Sequence, residues 1–166
     1  MITMAHGFCD IQMLRDSEGN YVIKEFCIYN SKWDITNTMM FKSPHCESLK
    51  PPNYMRQKNY TSNVIHGIHW NAGDIPFELC YGYMRQLTSS YLYIYVKGEQ
   101  KRRILQTILY GSAVINIETL GCPKLSVLPR MFVPYHCTEH GIYPHHTCAS
   151  LNARRIGLWY EMIKAK

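Results

Sequence analysis

The stretch Gly7–Asn30, GFCDIQMLRDSEGNYVIKEFCIYN, decides the architecture. Phe8 to Leu14 is an apolar run of β character, and Asp16-Ser17-Glu18-Gly19-Asn20 is a cluster of turn formers. Tyr21 to Asn30 is a second β-rich run, so the segment predicts an antiparallel hairpin. Asp10 and Gln12 stand two apart, and alternation along a strand puts both on one face. On the second run Glu25 shares a face with Ile23 and Cys27. A carboxylate among apolar neighbours needs a partner, because burying it unpaired is costly.

Outward from the hairpin, Ile35 to Lys42 reads as a third strand, and Ser43 to Asn53, with three prolines, as a loop. Asn53 to His66 has helical character, and a clearer helix follows the HGIHWNAGDIP loop over Phe77 to Thr88. Tyr91 to Val96 (YLYIYV) is short and almost wholly apolar, as a buried central strand should be. Gly98 to Leu109 predicts a helix, Ala113 to Ile117 a strand and Cys148 to Ala165 the last helix. On that helix Ala149, Ala153, Ile156, Tyr160 and Ile163 form an apolar stripe opposite Arg154 and Arg155. Three hairpin-linked strands followed by alternating helices and strands predict an α/β fold. Its form is a mixed five-stranded sheet with helices on both faces, as one domain over residues 1–166.

Of the 166 residues 46% are hydrophobic and 18% charged, which argues against disorder. Eighteen Lys and Arg against twelve Asp and Glu give +6, suited to an anionic partner and equally to plain solubility. MITMAHGFCD lacks a basic region followed by an apolar stretch, and no apolar run approaches membrane-spanning length. Seven scattered cysteines are an odd number, which reads as free thiols plus a metal site in a reducing compartment. The expected location is therefore the cytoplasm or nucleus, with no membrane partner.

The run CTEHGIYPHHTCASLNARR sets Cys137-x2-His140-x7-Cys148, with His145 and His146 within reach. Zinc takes four soft or borderline ligands in a tetrahedron, and a C-x2-H pair supplies two at once. Cys148 stands at the start of the last helix, where the dipole favours a thiolate. A structural zinc ion held by Cys137, His140 and Cys148 is the expectation; buried thiols beside surface histidines are the plainer alternative. The fourth ligand is either local, His145 or His146, or distant, Glu25. His66 and His69 in HGIHW have no nearby Cys or acid to complete a metal set and more often satisfy loop backbone groups.

An Asp-x-Glu pair on the first strand would suit a two-metal nuclease, but the second position is Gln12, a neutral amide and a poor ligand for Mg²⁺. After YLYIYV the chain offers Glu99 and then Gln100-Lys101-Arg102-Arg103, whose cations would repel catalytic metal. The last helix offers Asn152 and no acid before Glu161. Asp10, Glu99 and Glu118 remain, each equally suited to capping or surface roles, so a four-carboxylate centre is not expected.

With these positions in hand, the chain resembles the RNase H-like fold of the DEDD 3′–5′ exonucleases, Asp10-Ile11-Gln12 standing where those enzymes carry Asp-x-Glu. Within that group it is most similar to the Maelstrom domain of the piRNA pathway, which has lost the exonuclease carboxylates and holds zinc with a Glu-Cys-His-Cys set. It also resembles a set of arthropod proteins sharing the DIQ, HG-x-HW and C-x2-H…CA pattern. Carried over, the resemblance implies Glu25, Cys137, His140 and Cys148 as zinc ligands, with His146 the alternative to Glu25. The chain is shorter than a complete Maelstrom domain, and an HMG box is not expected within it. A place in piRNA silencing therefore follows from lineage alone.

Lys97, Lys101, Arg102 and Arg103 on one helix, and Arg154, Arg155, Lys164 and Lys166 on the last, are candidate RNA contacts if both helices face one side of the sheet. Trp33, Trp70, Tyr54 and Tyr60 are candidates for stacking on unpaired bases. Against these stand solvated helix faces and core aromatics. The expected function is a catalytically degenerate exonuclease-fold domain, not an enzyme, binding RNA or a protein partner of a silencing complex. Two alternatives stay open: an active metal-dependent ribonuclease using Asp10 or Glu99, and a protein-interaction scaffold.

Overall fold

The fold was obtained as a computed structural model, in which residues 4–45, 67–128 and 148–166 are described. The hairpin forms as β1 (Met4–Arg15) and β2 (Tyr21–Asn30), antiparallel, with Phe8 opposite Tyr29 and Asp10 opposite Cys27. Its turn closes on Asp16, whose carboxylate accepts from the backbone N–H groups of Glu18 at 2.9 Å and Asn20 at 2.8 Å. This is the local side-chain-to-backbone bonding that suits Asp to turns. The register slips between Gln12 and Met13: Gln12 faces Glu25, but Met13 faces Ile23. Lys24 is left without a cross-strand partner on β1, a bulge that redirects its side chain.

β3 (Ile35–Met40) pairs antiparallel with β2. On the other side of β1 lie β4 (Tyr91–Val96) and then β5 (Ala113–Asn116), both parallel, which gives the order β3-β2-β1-β4-β5. Parallel neighbours need crossover connections. A 3₁₀ turn, Phe77–Leu79, leads into α1 (Cys80–Thr88), which precedes β4, and α2 (Glu99–Ile108) crosses from β4 to β5. Residues 117–128 carry two further 3₁₀ turns, and α3 (Ala149–Lys164) ends the chain. The elements match those read from sequence to within a few residues at their ends; Ile117, expected to close β5, starts a 3₁₀ turn instead. The expected helix over Asn53–His66 lies outside the described residues.

The sheet is packed on both faces. On one, Cys9, Ile11, Phe26, Ile28, Ile94 and Val96 meet Met84 of α1 and Leu105 and Ile108 of α2. On the other, Phe8, Cys27, Tyr29 and Tyr95 meet Ala149, Ala153 and Ile156 of α3. Each aliphatic side chain so buried contributes about 1.5–3 kcal/mol. β2 is buried along nearly its whole length because β1 and β3 flank it and helices cover it. This is the expected mixed five-stranded α/β sheet with helices on both faces.

Two expectations change. The apolar sides of α2 and α3 pack against opposite faces, so the two helices do not lie together on one face of the sheet, although Lys101 at the head of α2 reaches Asp10 under α3. β4 is not buried throughout: Leu92 is 54% exposed and Tyr93 43%, although Tyr91 before them and Ile94 to Val96 after them are buried. Among the described residues no helix is long and apolar enough to cross a membrane.

Candidate functional site

The face of the sheet under the first turn of α3 is polar, although it is buried. Asp10 and Gln12 of β1 and Glu25 and Cys27 of β2 share it by alternation and register, and all four are at most 5% exposed. Buried polar groups must find partners, and here they find them across three elements.

Asp10 is the hub. Its Oδ1 accepts from the ammonium group of Lys101 at 2.6 Å. Its Oδ2 accepts from the side-chain amides of Gln12 at 3.2 Å and Asn152 at 2.8 Å. Lys101 reaches it because α2 starts immediately after β4: Gly98 has φ 104°, a conformation that side chains resist, and it folds the chain sharply into the first turn of α2. The N–H of Gly98 donates to Oδ1 of Asn116 at 3.0 Å, fixing that corner to β5.

A divalent cation is poorly matched to this donor set. Mg²⁺ requires several oxygen ligands with negative charge among them. The groups facing Asp10 are one ammonium and two amide N–H donors, and a fixed cation already bonds the carboxylate. The residues present do not fit a catalytic divalent ion.

Glu99, the other candidate catalytic acid, is exposed and points elsewhere. Arg102 at 2.7 Å and Arg103 at 3.2 Å engage its carboxylate and hold its pKa down to about 2, Arg102 contributing most. Glu118 pairs with Lys97 at 2.9 Å, which lowers its pKa, and closes a 3₁₀ turn with Asn116.

Glu25 is fully buried and lies at the head of α3. Its Oε1 accepts from the backbone N–H of Ala149 at 2.5 Å, so a carboxylate from a strand caps the helix that follows Cys148. An anion there is favoured by the unsatisfied N–H groups and the helix dipole. Cys148, 4% exposed, is the residue before that helix, so Glu25 and Cys148 are neighbours in space. Cys137, His140, His145 and His146 lie outside the described residues. Beside Glu25, Cys27 rests against the hydroxyls of Thr38 and Ser150, and burial pushes its thiol pKa up to about 12.

The basic candidates are mostly engaged within the fold. Lys97 also donates to the carbonyl of Cys122 at 3.4 Å, and Lys101 is bound to Asp10. Arg154 pairs with Asp34 at 3.1 Å and lies 5.3 Å above the ring of Tyr29. Arg155 donates to the carbonyls of Leu125 and Leu128, the latter at 2.9 Å, and so ties α3 to the 125–128 turn.

Of the stacking candidates, Trp33 is 51% exposed, whereas Trp70 is buried and its indole N–H donates to the carbonyl of His45 at 2.8 Å. Trp70 is therefore a core residue rather than a stacking surface. Tyr54, Tyr60 and His66 lie outside the described residues, and His69 is exposed. An aromatic group that sequence reading missed joins His6, Tyr93, Tyr95 and Tyr160, with ring centroids 5.0–5.9 Å apart. Its signal was the alternation of tyrosines in YLYIYV, which sets Tyr93 and Tyr95 on one face.

No protein-family model matches the chain, and no curated protein matches it. Its structure is similar to that of Escherichia coli Exonuclease I, determined in complex with a dA16 oligonucleotide. The TM-score is 0.58 at 11% identity, over 97% of this chain and 41% of that one, so the chain spans less than half the length of that neighbour. The likeness establishes the fold alone: an α/β domain with an RNase H-like mixed five-stranded sheet.

Proposed function

We propose that this nuclease-fold domain is catalytically idle and binds RNA, single-stranded or structured, as part of an RNA-silencing assembly. The observation that carries the reading is the state of Asp10. In a nuclease built on this sheet that carboxylate would serve metal ions, and here Lys101, Gln12 and Asn152 engage it. Support for a nucleic-acid partner comes from the net charge of +6 and from the oligonucleotide held by Exonuclease I. Maelstrom-like kinship, and with it a place in piRNA silencing, rests on the resemblance of Glu25, Cys137, His140 and Cys148 to that domain's zinc set. The placement of Glu25 beside Cys148 supports it.

A structural zinc ion held by those four residues belongs to the proposal. Zinc there would add no chemistry beyond fastening the start of α3 to β2.

Filter binding with single-stranded RNA across a salt series tests the reading, together with incubation of RNA with the wild-type chain and Asp10→Ala. The expected result is binding whose logarithm falls with the logarithm of salt at a slope of roughly −2 to −3, for about three to four phosphate contacts. Neither protein should cleave. Cleavage lost in Asp10→Ala would replace the idle site with an active one. Absence of binding at low salt would leave the protein-interaction reading, which the internal pairing of Lys97, Lys101, Arg154 and Arg155 favours.

A further inference from the structure

Lys101 is unusual among the basic residues because its charge is directed inward, to a carboxylate that is 4% exposed, while its own side chain remains 26% exposed. The Asp10 group joins three elements: Asp10 and Gln12 from β1, Lys101 from the first turn of α2 and Asn152 from the first turn of α3. Two helices on opposite faces of the sheet are thus tied to one buried anion. Lysine's ammonium is a compact, strongly hydrated point charge on a flexible stem, the side-chain group closest in character to a hard metal cation.

We infer that Lys101 is a tethered counter-cation, holding the position against Asp10 that a divalent ion would require, and that removing its charge opens a latent divalent-cation site. While Lys101 is in place, an ion within bonding distance of Asp10 would lie a few ångströms from a fixed positive charge and be repelled. Without Lys101, Asp10 is a buried carboxylate that has lost its positive partner. Asn152 can turn its amide by half a rotation, replacing an N–H donor with a carbonyl oxygen. One carboxylate, one amide oxygen and water form a donor set of the kind Ca²⁺ and Mg²⁺ accept. With a single formal charge the affinity is weak, on the order of millimolar. The inference deepens the idle-site reading and rests on it, since it supplies the cation that replaces the catalytic metal.

The test is thermal unfolding of the full chain as wild type, Lys101→Ala, Lys101→Gln and Asp10→Asn/Lys101→Ala. Each is measured with 0–20 mM MgCl₂ or CaCl₂ at constant ionic strength, concentrations chosen to span the weak affinity expected. Lys101→Ala should unfold about 5–10 °C lower than wild type, the loss expected for a buried acid deprived of its partner. Either cation should restore several degrees to it, while wild type and the double variant show no response. The double variant should regain most of the lost stability, because it buries no unpaired charge. If Lys101→Ala does not fold, Lys101→Gln, which keeps the bulk and a donor, must show the same metal response.

A Lys101→Ala protein indifferent to both cations overturns the inference, whether or not it is less stable than wild type. So does a wild-type protein stabilised by Mg²⁺ through Asp10, as judged by loss of that effect in Asp10→Asn. These outcomes are separable from the functional reading, because failure to bind RNA leaves the metal responses untouched.

Discussion

Lys24 shows what one residue can carry in this fold. The bulge in β2 turns its side chain fully inside, where the ammonium group donates to Ser43 Oγ at 3.0 Å and to the carbonyls of Trp70 at 2.8 Å and Ala72 at 2.6 Å. All three acceptors are neutral, and burial draws the pKa down to about 8 from 10.5. A lysine pKa lower in the folded than in the unfolded state means that the folded chain binds fewer protons between those values. Stability therefore rises with pH from about 8 to about 10.5, and the penalty is fully present below 8. The span corresponds to about 3 kcal/mol. Cys27 and Cys80, whose buried thiols are raised to about 12, act in the opposite direction above pH 9. The readout is thus the unfolding free energy of wild type minus that of Lys24→Met, which should rise across that window. A flat difference would mean that Lys24 stays charged and well compensated inside. This residue was not legible in the sequence: KEFCIY gives alternation, but only the bulge, a tertiary feature, decides which side of the sheet takes the lysine.

At the scale of elements, α3 is held to the sheet by close approach as well as by its stripe. An added methyl at Gly157 would lie 2.7 Å from Cδ1 of Tyr29 and 3.0 Å from Cδ2 of Phe8, rings that are buried and cannot yield. Helix propensity favours Ala over Gly by about 1 kcal/mol, but overpacking a rigid core costs about 1–3 kcal/mol. Gly157→Ala should therefore destabilise the chain by about 1 kcal/mol in denaturant titration. Gly82 of α1 has open space around it, and Gly82→Ala should stabilise by about 0.5–1 kcal/mol. Equal effects at the two positions would refute the packing account. The first part of the stripe could be read in advance, since Ala149, Ala153 and Ile156 are buried at helical spacing, whereas Tyr160 is half-buried and Ile163 exposed where α3 runs past the sheet. The hairpin was legible too, its turn residues carrying their own hydrogen bonds. Asp10 and Gln12 are legible as a shared face, but for Lys101 the sequence suggests only repulsion of metal or contact with RNA, not a pairing with Asp10. Pairing across ninety-one residues leaves no periodic trace, because it depends on how sharply Gly98 bends the chain after β4.

For the whole molecule, the question is what fastens α3, which follows residues 129–147, to a sheet whose order is set by the hairpin and two parallel crossovers. Two of its ties are to buried acids, Asp10 through Asn152 and Glu25 through Ala149. A zinc ion shared by Glu25, Cys137, His140 and Cys148 would make the second tie dominant, because structural zinc contributes folding free energy directly. On that proposal the purified chain should contain about one zinc per molecule by elemental analysis. A strong chelator should lower its unfolding temperature. Cys148→Ser should lose the metal and much of the stability, whereas Cys122→Ser, outside the proposed set, should keep the metal. Glu25→Gln separates the two roles of the carboxylate. Its amide oxygen can still accept from Ala149, so the cap survives, but the negative charge that favours zinc is gone. Partial loss of zinc in Glu25→Gln is therefore expected with α3 still docked. Full retention would transfer the fourth ligand to His145 or His146, and a well-folded wild-type chain free of zinc would remove the metal, leaving Glu25 as the helix cap alone.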